Sequence, residues 1–273
     1  MKEQIVRAIK SVHASRPLVH SITNFVVMNV TANALLSAHA SPLMAHAVEE
    51  LDDLTDIDSA LVLNIGTLDP AWLESMELAG KLMRAKGKPV VLDPVGAGAS
   101  RLRTEASLRL LDMVRPQIVR GNASEIMALA SEIRRAERLP SSTSSSTKGV
   151  DSLNDSREAV DSARLLAERF GCVVSISGER DFVTDGETVL VVEGGSPLMP
   201  RVTGMGCSAS AVTGAYAACA EPLTAAAAAM AVFASAGEKA GRLAKGPGTF
   251  LPHFLDELYA VDAEDAAERV KKL

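Results

Sequence analysis

An α/β fold on a largely parallel sheet, with helices packed on both faces, is the expectation from this chain, and three observations lead to it. A short β-branched run followed by a helical pattern recurs five times between Pro17 and Ser177. Each run ends in small or polar residues that suit a turn, and such β-then-α repetition yields parallel strands joined by right-handed crossovers. The 273 residues are 47% hydrophobic and 23% charged, which excludes a disordered chain. That length is compatible with a single α/β domain, and residues 1–273 are read as one.

The elements follow in order. Ile5, Val6, Ile9 and Val12 recur at helical spacing, so the chain opens with an amphipathic helix. The strand runs are Leu18–Ile22 ending at Thr23–Asn24, Leu61–Leu63 at Asn64–Gly66, Val90–Leu92 at Asp93, Gln117–Val119 at Arg120–Asn122, and Val173–Ile176 at Ser177–Gly178. Asp69-Pro70 places an N-cap before proline at a helix start. Asn122 with Glu125 three residues on resembles a capping box. Phe182–Thr184, Asp185-Gly186 and Thr188–Glu193 read as a hairpin with a D-G turn. Helices are expected over roughly Met205–Ala220 and Leu223–Ala244, and a helical pattern resumes after Gly246-Pro247-Gly248 to the end. Leu139 to Gly149 is almost all Ser and Thr, cannot bury a core, and reads as a surface loop between two helices.

Composition narrows the partners. The net charge is −6 and aromatics are 3%, so neither a basic footprint nor a stacking platform for nucleic acid is present. Cysteines at 172, 207 and 219 form no C-x-x-C, which fits a reducing, cytoplasmic setting better than a disulfide or zinc framework. The charged N-terminus lacks an apolar core and is not a signal peptide. Pro17 to Val48 is uncharged over 32 residues but carries three His and three Asn, and Val202 to Ala220 is small and polar, so no membrane span is expected.

In parallel α/β sheets ligands sit outside the carboxyl ends of the strands. Asn24, Asn64, Asp93, Arg120, Asn122 and Ser177 all fall there. Thr203-Gly204-Met205-Gly206-Cys207-Ser208 opens a helix with two glycines, a backbone arrangement that gathers N–H groups around an anion. A dinucleotide reading of that turn is disfavoured, because Pro197 and Pro200 interrupt what precedes it and the nearest acid is Glu221. No G-x-x-x-x-G-K-[ST] occurs. Cys207, in the first helical turn, is placed where a thiol pKa can fall and a thiolate form. Asp93 and Glu125 on neighbouring strand ends can hold Mg²⁺ through its waters, and Arg120 can reach phosphate oxygens. Together these suit phosphoryl transfer.

The runs PLVHSITNFVVMNVTANALLSAHASPLMAHAVEE, ALVLNIGTL, VVLDPVGAGAS, IVRGNASEI, SISGERD and VTGMGCSAS lie in order from about Pro17 to Gly248. They resemble the hydroxyethylthiazole kinases. The resemblance implies a ribokinase-like fold, transfer of the ATP γ-phosphate to the alcohol of 4-methyl-5-(2-hydroxyethyl)thiazole in thiamine salvage, Mg²⁺ dependence, and a homotrimer with sites near the subunit contacts. It implies that Met44 and Gly204 contact the thiazole, that Asn24 and Val26 line its pocket, and that Arg120 and Ser177 contact ATP. Asp93 and Glu125 would form the Mg²⁺ environment. Cys207 would act where most ribokinase-like kinases carry an Asp base, within an anion hole made by Gly204, Met205, Gly206 and Cys207. Ser177 stands where Thr is frequent in the family, and the Ser/Thr-rich stretch before Gly149 is longer than the family pattern. Three rivals remain: a kinase of hydroxymethylpyrimidine or pyridoxal, a dehydratase of hydrated nicotinamide nucleotides, and a non-catalytic nucleotide-binding regulator. The dehydratase is disfavoured by Cys207 in place of Asp, and the regulator by the retained Asp93, Arg120 and Glu125.

Overall fold

The computed structural model describes residues 1–138 and 152–273; the Ser/Thr-rich loop expected over 139–149 lies outside the described residues. The chain runs through α1 (Lys2–Ser15), β1 (Leu18–Ile22), α2 (Met28–Ser37), β2 (Ser41–Leu43), α3 (Leu51–Ile57), β3 (Ala60–Asn64), α4 (Pro70–Ala85), β4 (Val90–Asp93), α5 (Arg101–Val114), β5 (Ile118–Asn122) and α6 (Ala123–Glu137). It continues with α7 (Ser152–Phe170), β6 (Val173–Ser177), β7 (Asp181–Thr184), β8 (Val189–Val192), α8 (Met205–Ala217), α9 (Pro222–Leu243), α10 (Pro247–Tyr259), α11 (Ala263–Ala267) and β9 (Val270–Lys272).

Among the described residues nine strands form one sheet in the order β2-β1-β3-β4-β5-β6-β7-β8-β9. Pairing is parallel from β2 through β6 and antiparallel from β6 through β9. The parallel strands are covered on both faces, which is why β3 and β4 are buried along their whole length and read as unbroken apolar runs. Alternate side chains serve two cores. Val19, Val62, Val91 and Ile118 face a layer that includes α1, α2, α8 and α9. Leu61, Leu63, Val90, Leu92 and Val119 face α4 to α7. Close approach shapes the first layer: a Cβ on Gly214 would lie 2.5 Å from Cγ2 of Val62, so α8 rests directly on β3. The alanines 225–229 of α9 are all fully buried, and their small size lets neighbouring helices close around it.

The expected helix starts are present. Asp69 Oδ1 accepts the Trp72 N–H at 3.0 Å with Pro70 at the first helical position. Asn122 and Glu125 form a complete capping box at α6. Two strands escaped the sequence reading. β2 is three residues long with Pro42 at its centre, tolerated because β2 is an edge strand. The helical pattern expected to run to the end stops at α11, and Val270–Lys272 turns back as the opposite edge, β9. Parallel pairing brings the carboxyl ends of β1, β3, β4, β5 and β6 to one side of the sheet, where the site is built.

Candidate active site

A buried polar chain crosses the strand ends. Asn64, the last residue of β3, lies beside Asp93, the last residue of β4. Its Nδ2 donates to Asp93 Oδ2 at 2.7 Å, and Ser210 Oγ, from the second turn of α8, donates to the same oxygen at 2.7 Å. Asn64 Oδ1 accepts from Asn24 Nδ2 at 2.8 Å and from the Gly66 amide at 3.0 Å. Asn24 Nδ2 also reaches Cys207 Sγ at 3.5 Å. These bonds hold Asn24, Asn64, Asp93 and Cys207 in one arrangement. Burial pushes the Asp93 carboxyl up to about 6, opposed by Arg120, Ser210 and Asn64 and assisted by Glu125.

Arg120 comes from inside β5 and is only 6% exposed. Among the described residues its Nε has no hydrogen-bond partner. A Cβ on Gly206 would stand 2.9 Å from Arg120 Nη1, so only glycine lets the α8 turn close onto the guanidinium. On its other side the turn leans on α2: Gly204 sits at φ +87°, and a Cβ there would lie 2.6 Å from Val30 and 3.2 Å from Val27. The Gly204–Cys207 turn is therefore wedged between the residues flanking Asn24 and a buried cation, with Met205 packed beneath in the core. A buried guanidinium with an unsatisfied N–H beside a helix N-terminus is a site for an anion.

Glu125 places both carboxylate oxygens on backbone amides, Oε1 on Gly96 at 2.8 Å and Oε2 on Asn122 at 2.8 Å. It thereby joins the loop after β4 to the start of α6. Asp93 and Glu125 offer oxygen donors only, a set that fits a hard divalent cation. With both Glu125 oxygens engaged, that carboxylate fits contact through a cation's waters. Among the described residues no group of three or more His, Cys, Asp or Glu forms a metal cluster.

Ser177 ends β6 opposite Asn122. Beyond it Asp181, in the hairpin, is pushed up to about 6 by burial, held back by the Gly178 amide and by Arg120. Met44 follows the edge strand β2 and packs half-buried against the first core. Val26 is 66% exposed on the open turn before α2. The Trp72 ring stands between Phe25 and His46, with centroids at 4.7 and 3.9 Å. Its Nε1 donates to the Thr23 carbonyl at 2.8 Å and fixes the turn leading to Asn24. Asn24 thus meets Cys207 directly and Asp93 through Asn64, and Arg120, Glu125, Gly204 and Gly206 surround them. Met44 and Val26 stand outside this chain.

The thiolate expected at Cys207 is corrected by the structure. Burial pushes the thiol up to about 11, and the neighbouring Asp93 charge adds to this, against hydrogen bonds from Asn64 and Asn24 and the pull of Arg120. The helix start does not overcome burial beside a carboxylate, so Cys207 is a neutral thiol at physiological pH. Asn64 was expected at the ligand end of the sheet but with no role assigned, and Ser210 and Asp181 were not among the expected residues. Asn64 was visible as a strand end, whereas Ser210 is announced only by its spacing, one helical turn after Gly206.

The model of the Hydroxyethylthiazole kinase family matches residues 9–264. A relative from Nitratidesulfovibrio vulgaris strain Miyazaki F, named hydroxyethylthiazole kinase, is 53% identical over 98% of this chain and 97% of its own. One of the same name from Pyrococcus furiosus is 48% identical over 97% and 96%. The solved structure of a hydroxyethylthiazole kinase protein from Pyrococcus horikoshii superposes over 100% of both chains with a TM-score of 0.88 and 42% identity. A pyridoxal kinase from Staphylococcus aureus shares the fold at a TM-score of 0.57, 18% identity and coverage of 82% and 88%. Sequence, fold and site geometry thus lead to one assignment: the chain belongs to the hydroxyethylthiazole kinase family, with a ribokinase-like fold.

Proposed function

We propose that this chain transfers the γ-phosphoryl group of ATP to the alcohol of 4-methyl-5-(2-hydroxyethyl)thiazole, the step that returns this thiazole to thiamine synthesis. The observation that carries the reading is the pairing of two half-sites across the α8 turn. On one side lie Asn24 and Cys207, tied through Asn64 to Asp93 at the boundary between the halves. On the other lies the buried guanidinium of Arg120 against Gly206. The first half suits a neutral alcohol and the second a polyphosphate.

Arg120 and the amides opening α8 neutralise charge on the transferred phosphoryl oxygens. Ser177, one strand away from Arg120, meets the nucleotide. Met44, Val26, Asn24 and Gly204 wall the thiazole, which needs no ionic partner and faces a segment without charges from Pro17 to Val48. Cys207 Sγ, held by Asn24, positions the hydroxyl. Asp93 and Glu125 would hold Mg²⁺, which supplies charge neutralisation between the phosphates when bound. As the new P–O bond forms and the bond from the γ-phosphorus to the bridging oxygen breaks to release ADP, the alcohol proton becomes acidic and passes to a transferred phosphoryl oxygen, so a neutral thiol at Cys207 is compatible with turnover. A homotrimer and a cytoplasmic location belong to the same reading, and the latter agrees with three unpaired cysteines.

The test is product formation from hydroxyethylthiazole and Mg-ATP, run beside hydroxymethylpyrimidine and pyridoxal as acceptors. A thiazole phosphate formed with kcat/KM well above both rivals is expected. Preference for either rival, or no turnover of any acceptor, overturns the reading.

A further inference from the structure

One arginine joins the two halves of this site without touching either ligand position. Arg103 is the third residue of α5. Its Nη1 donates to the carbonyls of Ile65 at 2.9 Å and Val95 at 2.8 Å, and its Nη2 to the carbonyl of Gly66 at 2.6 Å. Those carbonyls belong to two loops, the one after β3 and the one after β4. Among the described residues Arg103 pairs with no carboxylate. The choice of residue is not explained by the helix either. The first turn of α5 holds no acid, and a cation near a helix N-terminus is unfavourable.

Each loop held by Arg103 serves a different half-site. Gly66 donates its amide to Asn64 Oδ1, and a Cβ on it would lie 2.5 Å from Asn24 Nδ2, so Gly66 is the floor under Asn24. On the second loop, Gly96 donates its amide to Glu125 Oε1. Gly96 turns at φ +75° directly over the arginine, where a Cβ would stand 3.0 Å from Arg103 Cδ. The guanidinium thus ties the loop that fixes Asn24 and Asn64 to the loop that fixes Glu125. Three carbonyls around one planar fork suit arginine and not lysine, whose single ammonium cannot present donors along the same lines.

We propose that Arg103 is a positioning residue for phosphoryl transfer, setting the distance between the alcohol held at Asn24 and the polyphosphate and metal held at Arg120, Asp93 and Glu125. The inference rests on the phosphotransfer reading above. Each half-site keeps its own ligand contacts when Arg103 is changed, so binding survives while the alignment between the two halves is lost. A misplacement of about 1 Å between reacting groups costs on the order of 100-fold in rate.

The experiment compares the full-length wild-type chain with Arg103→Lys and Arg103→Met. Melting temperature is measured first, then kcat and both KM values with hydroxyethylthiazole and Mg-ATP. No product from the wild type overturns the phosphotransfer reading and says nothing against the clamp itself. With an active wild type, folded Arg103→Lys is expected to lose about 10- to 100-fold in kcat while each KM changes less than about threefold. A purely structural role instead lowers the active fraction with the melting temperature. Arg103→Lys folded and within twofold of wild-type kcat overturns the proposal. So does a loss carried by either KM with kcat retained. If Arg103→Met does not fold, the lysine variant alone decides.

Discussion

Asp93 is the residue where stability and chemistry conflict. Its carboxyl is pushed up to about 6 from an ordinary 3.8, chiefly by burial. The folded state therefore holds the proton more tightly than the unfolded chain does. The contribution to stability is complete below pH 4 and is lost as pH rises through 6, at a cost of about 3 kcal/mol once the group is ionised. Asp93→Asn should accordingly melt above the wild type at pH 8, and its advantage should shrink on acidification to pH 5, with turnover lost. An advantage of equal size at both pH values would contradict the burial argument. Cys207 gives a second test. With the thiol near 11, the thiolate fraction at pH 7 is about one in ten thousand, so alkylation should be slow at neutral pH and accelerate toward pH 10, with thiazole protecting. Cys207→Ala should lower kcat with ATP affinity nearly unchanged, and Cys207→Asp should remain active, since a carboxylate there can position the hydroxyl and accept its proton. A folded but inactive Cys207→Asp, or wild-type turnover in Cys207→Ala, would refute the positioning role. Both side chains were readable in the sequence as candidates, Asp93 by ending a strand and Cys207 by opening a helix after two glycines, and the structure brings them together through Asn24 and Asn64. Their proton affinities were not, because these depend on burial and on the approach of Arg120 and Glu125 from other segments.

The opening of α8 is the element on which the proposed phosphate half depends. Gly206 has no room for a methyl group against Arg120 Nη1, and the guanidinium is itself buried and short of a partner. Gly206→Ala must displace either the turn or the arginine, and both moves open the anion site. Arg120→Ala removes the cation and leaves the turn in place. Each substitution should raise the KM for ATP by about tenfold or more while the thiazole KM changes little, since a lost hydrogen bond to a charged group is worth about 1.5–3 kcal/mol. A larger effect on thiazole than on ATP in Arg120→Ala would contradict the assignment. The double variant should cost less than the two single losses combined, because both act on one contact. This turn was legible: two glycines before a run of small residues require close backbone approach whatever the partner. The partner was not legible, because Arg120 lies more than eighty positions earlier and meets Gly206 only when parallel pairing sets β5 beside β4, on which α8 packs.

The sheet as a whole decides where the molecule can associate. Both edges are blunted: β2 carries Pro42, which offers no N–H, and β9 is Val270 followed by two lysines. Neither three-residue strand has a periodicity to betray it, so the inner strands were readable and the two edges were not. Growth of the sheet from chain to chain is thereby discouraged, and the proposed homotrimer would use side-chain surface. The exposed apolar residues nearest the site are Phe25, 59% exposed, and Val26, 66% exposed, on the turn between Asn24 and α2. Burying them against a neighbouring copy would also close the acceptor side over the thiazole, which links assembly to substrate affinity. Light scattering should give three times the 28.7 kDa chain mass, and the double variant Phe25→Asp, Val26→Asp should shift the protein toward monomer. The same variant should raise the KM for thiazole more than that for ATP, since the nucleotide half lies across the α8 turn. A double variant that stays trimeric would remove this turn from the contact, and one that falls to monomer with both KM values intact would separate assembly from substrate binding.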